Sequence, residues 1–148
     1  MDKKYAASKP VSVNRVLMAA AALVCLLAVV FGAFGAHALS GLLQGKTMQW
    51  YQTAVQYQFM HGIGMFVCVA MAAIFSIMGQ LKSAASSSTA GWCLLTGVLI
   101  FCGTLYAMAL GAPRWLGAVT PLGGLAFLAG WGLLIRTALT ARSADNSL

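Results

Sequence analysis

The chain has 148 residues, of which 61% are hydrophobic and only 7% are charged. Soluble domains usually carry about 25% charged residues, so this composition excludes an ordinary water-facing surface and indicates an integral membrane protein. The formal net charge is +7, but the basic residues are dispersed beside apolar segments and form no basic face, which argues against nucleic-acid binding. The lipid bilayer is therefore the expected partner of most of the surface.

Four uncharged apolar segments cover residues 16–36, 59–78, 91–110 and 116–135, and each is 20 or 21 residues long. As α-helices they would be about 30 Å long, which matches the hydrocarbon core of a bilayer. Backbone groups in lipid must find partners within their own segment, so the spans must be helical. The sequence therefore predicts an all-α, integral membrane four-helix bundle that forms a single membrane domain over residues 1–148.

The distribution of lysine and arginine predicts the orientation of the bundle. Seven of the nine basic residues lie in the N-terminal arm 1–15, the loop 79–90 and the tail 136–148, whereas segments 37–58 and 111–115 hold one each, Lys46 and Arg114. Basic residues favour the cytoplasmic side, so we expect both termini in the cytoplasm and 37–58 and 111–115 outside. The sequence Ala36-His37-Ala38 resembles a signal cleavage site, but the preceding apolar run is longer than a signal peptide needs, so we expect the first span to be retained.

The segment between the first two spans contains an unusually polar stretch, QWYQTAVQYQFMHG at residues 49–62. Projected on a helix, Gln49, Gln52 and Gln56 share one stripe, and the roughly opposite stripe carries Trp50, Ala54, Tyr57 and His61. This pattern predicts either a short interfacial helix within 37–58 or an outward extension of the second span. The loop 79–90, rich in serine and alanine, is predicted to be a mobile cytoplasmic connector, and 111–115 an outer turn.

Two histidines are the candidate chemical groups. His37 closes the first span and His61 lies just inside the second, so antiparallel packing predicts that they meet near the outer face. We expect a hydrogen-bonded polar cluster of His37, Thr53, Tyr57 and His61 that ties the outer ends of the helices together. Imidazole also ligates metals and haem, but no third ligand follows at a suitable spacing, so we expect no cofactor and keep haem or metal binding as an alternative.

Little else in the chain is typical of catalysis. The only carboxylates belong to Asp2 and Asp145, which disfavours any mechanism that needs a buried acid as proton carrier. The motifs of serine hydrolases, zinc proteases and phosphate-binding loops are absent, so we expect a protein that is not an enzyme. The four cysteines fall within apolar spans without a C-x-x-C pair and are expected to pack as small hydrophobes.

Small residues at helical spacing are candidate helix-packing positions, because helices in lipid associate through close backbone approach. They serve the bundle itself or a homo-oligomer, and they are Gly32, Ala36, Gly97, Gly103, Gly123, Ala126 and Gly130. Pro121 lies inside the predicted fourth span, where a proline would kink a helix. Broken helices of that kind line substrate sites in some transporters.

Four motifs in order resemble one family: GAFGAH at 32–37, TAVQYQFMH at 53–61, FCGTLYAMAL at 101–110 and VTPLGGLAFLAGW at 119–131. The chain is similar over most of its length to the YgdD-like inner-membrane proteins, domain-of-unknown-function family 423, to which animal transmembrane protein 256 is related. The resemblance implies a multi-pass protein of the bacterial cell membrane and carries over no catalytic residue. We therefore expect a non-enzymatic assembly, regulatory or interaction protein, with a homo-oligomer or another membrane protein as partner. A small oligomeric transporter or channel is the main alternative.

Overall fold

The structure, a computed structural model, describes residues 13–141, so most of the predicted N-terminal arm and part of the tail lie outside the described residues. Within this range the chain is helical and contains no strand. The elements in order are α1 (Arg15–His37), α2 (Lys46–Ile77), α3 (Leu81–Gly97), a π-helical segment (Val98–Cys102), α4 (Gly103–Ala109), a 3₁₀ turn (Arg114–Ala118) and α5 (Thr120–Thr140).

These elements make four helical units that are long and apolar enough to cross a membrane. The units are α1, α2, the continuous run Leu81–Ala109 and the run Arg114–Thr140. Within residues 13–141, the predicted all-α bundle of four membrane-spanning helices is confirmed. We call the end that holds Arg15, Ile77, Leu81 and Thr140 the terminal end, and the end that holds His37, Lys46, Ala109 and Arg114 the loop end.

The helices α2 and α3 form the central pair of the bundle. The helix α1 packs mainly on α2, while α5 packs on α3 and on the π-helical segment. Because of this arrangement, only 22% of the most apolar stretch of α1 or of α5 is buried, against 44% for α2. The two outer helices therefore present the largest surfaces to lipid.

The polar stretch before the second span belongs to a single long helix. No separate interfacial helix is confirmed within residues 13–141, because α2 runs without interruption through 32 residues from Lys46. The other form that the sequence predicts, an outward extension of the second span, is the one observed. At 1.5 Å per residue α2 is about 48 Å long, more than a bilayer core, so it extends beyond the lipid or tilts within it.

The serine-rich segment is helical and not a loop. The connection between the second and third spans is short, and α3 already begins at Leu81 within the predicted connector 79–90. Two of its hydroxyls donate to carbonyls of the preceding turn, Ser87 Oγ to Ser83 and Thr89 Oγ1 to Ala85, each at 3.0 Å. Alanine has the highest helix propensity, and packing against neighbouring helices compensates for the weaker propensity of serine.

Pro121 does not kink the fourth span. It lies in the first turn of α5, directly after the 3₁₀ turn that ends at Ala118. The first turn of a helix has no partner for its N–H groups, so a proline is accommodated there without breaking a hydrogen bond. The predicted kink was wrong because the fourth helix begins four residues later than the apolar run.

Very close contacts between α5 and the third span occur at glycines. A Cβ placed on Gly123 would collide with the backbone of Phe101 in the π-helical segment, and one placed on Gly97 would collide with the ring of Phe127. A Cβ on Gly130 would approach Leu94 Cδ2 to 2.7 Å. The two spans therefore approach this closely because these three positions lack side chains.

The contact at Gly123 gives a direct test of this packing. We expect Gly123→Ala to destabilise the protein by about 1–3 kcal/mol, because the obstructing atoms are backbone and cannot rotate away. Gly103→Ala is the matched control: a Cβ there meets nothing within 4 Å, so its effect should be neutral or slightly stabilising. Unfolding in mixed micelles, followed by circular dichroism, measures both; equal stabilities would contradict the packing described.

Candidate functional site

The centre of the bundle contains a polar bridge built on Gln58. This side chain is only 4% exposed. Its Nε2 donates to the Val24 carbonyl of α1 at 3.0 Å, and its Oε1 accepts a hydrogen bond from the Tyr106 hydroxyl of α4 at 2.8 Å. One amide thus connects three of the four spans, with both of its polar atoms paired.

Aromatic rings surround the Tyr106 end of this bridge. Tyr51 meets Tyr106 edge to face, with ring centroids 5.1 Å apart, and Phe31 meets Tyr106 in the same manner at 5.2 Å. The hydroxyl of Tyr51 donates to the Phe31 carbonyl at 2.8 Å, which connects α2 to α1. We call Gln58, Tyr106, Tyr51 and Phe31 the Gln58 cluster. The hydroxyls and the amide of this cluster all form hydrogen bonds between helices.

His61 lies one turn further along α2 in a mainly aromatic environment. Its ring is stacked on Phe127 of α5 at a centroid distance of 3.5 Å and on Tyr57 at 5.6 Å. Its Nδ1 is 2.7 Å from the Tyr57 carbonyl. Since a carbonyl oxygen only accepts, Nδ1 is the donor in this contact. His61 therefore serves as a packing group between α2 and α5.

The structure separates the two histidines. Gly35 lies level with Tyr51, and Cys25 lies level with Gly62, so antiparallel packing places His61 opposite the middle of α1. His37 ends α1 and is exposed; at 1.5 Å per residue the two are about 17 Å apart along the axis. The expected cluster of four residues is therefore not assembled: His61 and Tyr57 are in contact, Thr53 is half-buried, and His37 is remote.

This spacing also removes the pairing on which the metal or haem alternative depended. Within residues 13–141, no three histidine, cysteine, aspartate or glutamate side chains come together as metal ligands. The four cysteines are free thiols, and Cys68 and Cys102 are buried among apolar neighbours. The prediction that the histidines share one depth was wrong because it starts the second span at residue 59, whereas α2 begins thirteen residues earlier.

The candidate packing residues divide into two groups. The first group lies at helix contacts: Gly97, Gly123 and Gly130 are buried, and a Cβ added to Gly32 would be 3.4 Å from Val55. Ala36 and Gly103 are exposed and Ala126 is half-buried. The neighbouring Gly35, absent from the expected set, is the residue that lets α1 approach the ring of Tyr51.

Gln58 is not among the predicted site residues, although the sequence contains a signal for it. Gln58 is nine residues from Gln49, which places it about 180° away from the stripe of Gln49, Gln52 and Gln56 on a helical wheel. A glutamine opposite the polar stripe of an amphipathic helix must face the core. Its partners on α1 and α4 could not be read from the sequence, because they depend on the register between spans.

A cavity of about 410 Å³ opens at the loop end, away from the Gln58 cluster. It lies between the start of α2, α4 and the start of α5. Lys46 and Arg114 line it together with Trp50 and apolar side chains of the third span. Two cations from different segments therefore converge on one largely apolar cavity.

Comparison with known proteins identifies relatives of the whole bundle. A family model described as "Protein of unknown function (DUF423)" matches residues 31–124. The chain is 38% identical to the UPF0382 membrane protein YwdK of Bacillus subtilis over 125 residues, which cover 84% of this chain and 97% of the relative. It is 37% identical to the UPF0382 inner membrane protein YgdD of Escherichia coli over 123 residues, 82% of this chain and 88% of the relative. A UPF0382 membrane protein of Haemophilus influenzae is 39% identical over 103 residues, 70% of this chain and 77% of the relative. No solved structure matches the chain.

A double-mutant cycle tests the Gln58 bridge. We expect Gln58→Leu and Tyr106→Phe each to lower stability, and their effects to be coupled by about 0.6–1.7 kcal/mol, the range of hydrogen bonds between membrane helices. Gln56→Leu is the matched control on the exposed face of the same helix and should change stability little. Unfolding free energies in bicelles measure all four variants, and additive single effects would contradict the bond.

The two histidines should also differ in their structural importance. His61→Ala removes a stacked ring from the contact between α2 and α5, and we expect a loss of about 2 kcal/mol or more, as for other large-to-small changes in a core. His37→Ala, at an exposed helix end, should alter stability by less than about 0.5 kcal/mol. Thermal melts in the same detergent compare them. Similar losses for both would show that His37 packs within the bundle.

Proposed function

Because the chain belongs to the DUF423 family of UPF0382 membrane proteins, we propose that it is a non-enzymatic membrane protein that acts by packing its helices against a partner in the bilayer. The role is that of an assembly or regulatory protein. The bacterial inner membrane, with both termini in the cytoplasm, is the proposed location. The inner-membrane name of the Escherichia coli relative and the excess of basic residues toward the terminal end support it.

The helix α5 has two glycine faces, and the outer one supports the proposal. The inner face, with Gly123, Phe127 and Gly130, is buried against the third span. The outer face lies about 140° away on the helical wheel and carries Gly124, Leu128 and Gly132 at i, i+4 and i+8. A Cβ added to either outer glycine would meet nothing within 4 Å.

Open glycines on a lipid-facing helix allow another helix to approach closely. Inside the bundle, glycines at the same kind of spacing have that effect, since α5 touches the third span where side chains are absent. The outer face therefore offers a second contact of similar geometry, in which van der Waals packing and weak Cα–H hydrogen bonds stabilise the pair.

The partner we propose for this face is a second copy of the chain. Copies inserted with the same topology present Gly124 and Gly132 at the same depth, so a two-fold axis along the membrane normal brings identical faces together. In the bundle interior, the polar atoms of Gln58, Tyr106 and Tyr51 are paired within the protein. Because these polar groups bond the helices to one another, they favour an assembly role over a solute pathway through the bundle.

Self-association in lipid tests this proposal. We expect the wild type to dimerise reversibly in liposomes, and Gly124→Leu with Gly132→Leu to shift the equilibrium toward monomers by at least about tenfold, since the added side chains separate the two backbones. Photobleaching steps of a fluorescently labelled protein at graded lipid dilution measure the monomer fraction. The double variant should fold normally because its side chains enter open space.

Ala33→Leu is the matched control, because Ala33 lies exposed on α1 rather than on α5; it should dimerise like the wild type. A wild type that remains monomeric at every density would contradict self-association. Solute flux through wild-type proteoliposomes, abolished by the same two glycine variants, would instead support the oligomeric transporter or channel.

A further inference from the structure

The loop-end cavity is amphipathic along its length. Its mouth holds Lys46, at the first residue of α2, and Arg114, at the start of the 3₁₀ turn. Its wall is formed by Phe101, Leu105 and Met108 of the third span. Phe101 is eight residues from the loop end of that span, so the apolar part reaches about 12 Å into the bundle.

Within residues 13–141, the two cations at the mouth have no acidic partner. Asp2 and Asp145 are the chain's acidic residues, so residues 13–141 contain no side-chain carboxylate. Lys46 Nζ is instead 5.7 Å from the centroid of the Trp50 ring, a cation–π contact that holds the ammonium at the rim of the cavity. Arg114 is exposed on the opposite segment. Their combined charge favours an anion between them.

These two residues are also the ones that the orientation of the protein does not explain. The other seven basic residues lie in segments predicted to be cytoplasmic, where they favour correct insertion. Lys46 and Arg114 lie in segments predicted to be outside, so their charges oppose this insertion. They are far apart in sequence. Both nevertheless line the same cavity, which points to a local role for the charges.

We propose that this cavity binds an anionic phospholipid, with the phosphate between Lys46 and Arg114 and one acyl chain along Phe101, Leu105 and Met108. A volume of about 410 Å³ lies in the usual range of small-molecule sites. The apolar wall favours a ligand with a hydrocarbon chain, because a free phosphate ion would leave this wall uncovered. Basic residues near a membrane surface attract anionic headgroups, by about 1 kcal/mol for each residue. The site does not depend on the proposed self-association.

The test uses the full-length protein in a non-ionic detergent, with phosphatidylglycerol added and its binding followed by native mass spectrometry. We expect Lys46→Gln combined with Arg114→Gln to weaken binding about tenfold or more, the effect of removing two such charges. Lys82→Gln combined with Arg136→Gln removes the same charge from exposed positions toward the terminal end and should leave the affinity unchanged. Lys46→Arg with Arg114→Lys keeps both charges and should retain binding.

Two further probes identify the ligand chemistry. Phosphatidylcholine with the same acyl chains should bind more weakly, because its ammonium group cancels the phosphate charge. Millimolar inorganic phosphate should not displace phosphatidylglycerol. Equal losses in the two charge-removal variants, equal affinity for the two lipids, or displacement by phosphate would each overturn the proposal. Circular dichroism melts confirm that every variant compared is folded.

Discussion

Helices already inserted in lipid gain no hydrophobic energy from packing together, so the buried amide of Gln58 determines much of how this bundle is arranged. Its two polar atoms would be unpaired in hydrocarbon unless α1 and α4 both lie close to α2. The bonds to the Val24 carbonyl and the Tyr106 hydroxyl therefore select one register among helices whose apolar surfaces are otherwise similar. The rings of Tyr51 and Phe31 pack edge to face against Tyr106 beside its bond to Gln58.

Glycine contacts contribute much of the packing on the other side of the central pair. There the π-helical segment Val98–Cys102 brings Phe101 against Gly123, and Phe127 fills the space over Gly97 and stacks on His61. Both outer helices therefore combine hydrogen bonds with close glycine contacts: α5 also bonds to the third span through the hydroxyl pairs of Thr137 with Ser86 and of Thr104 with Thr120, and α1 meets α2 at Gly35 and Gly62. Since both inner faces are used in this way, what remains for a partner is the lipid-facing outer surface, where Gly124 and Gly132 are open.

The number of spans and their all-helical form followed from apolar length, because a bilayer imposes a minimum run of hydrophobic residues. The ends of the helices were harder to predict, because hydropathy indicates where the lipid begins and not where a helix ends. The helix α2 includes Gln49 and Trp50, and α3 includes the serines after Leu81. The early start of α2 separates His37 from His61, and the late start of α5 leaves Pro121 in the first turn of a helix rather than in its interior. Gly97, Gly123 and Gly130 could be identified as packing positions from spacing alone. Gln58 could have been identified as facing the core, but not its partners, and the π-helical segment left no recognised pattern.

The join that the Gln58 amide makes between α1 and α4 can be observed in a bilayer. Solid-state NMR of protein labelled with ¹⁵N in glutamine side chains and ¹³C in valine carbonyls and tyrosine rings reports which groups lie beside the amide. We expect through-space correlations from the Gln58 Nε2 to the Val24 carbonyl carbon and to the Tyr106 ring, with slow exchange of the amide protons. A Gln58 amide that correlates with water or lipid headgroups instead would contradict it.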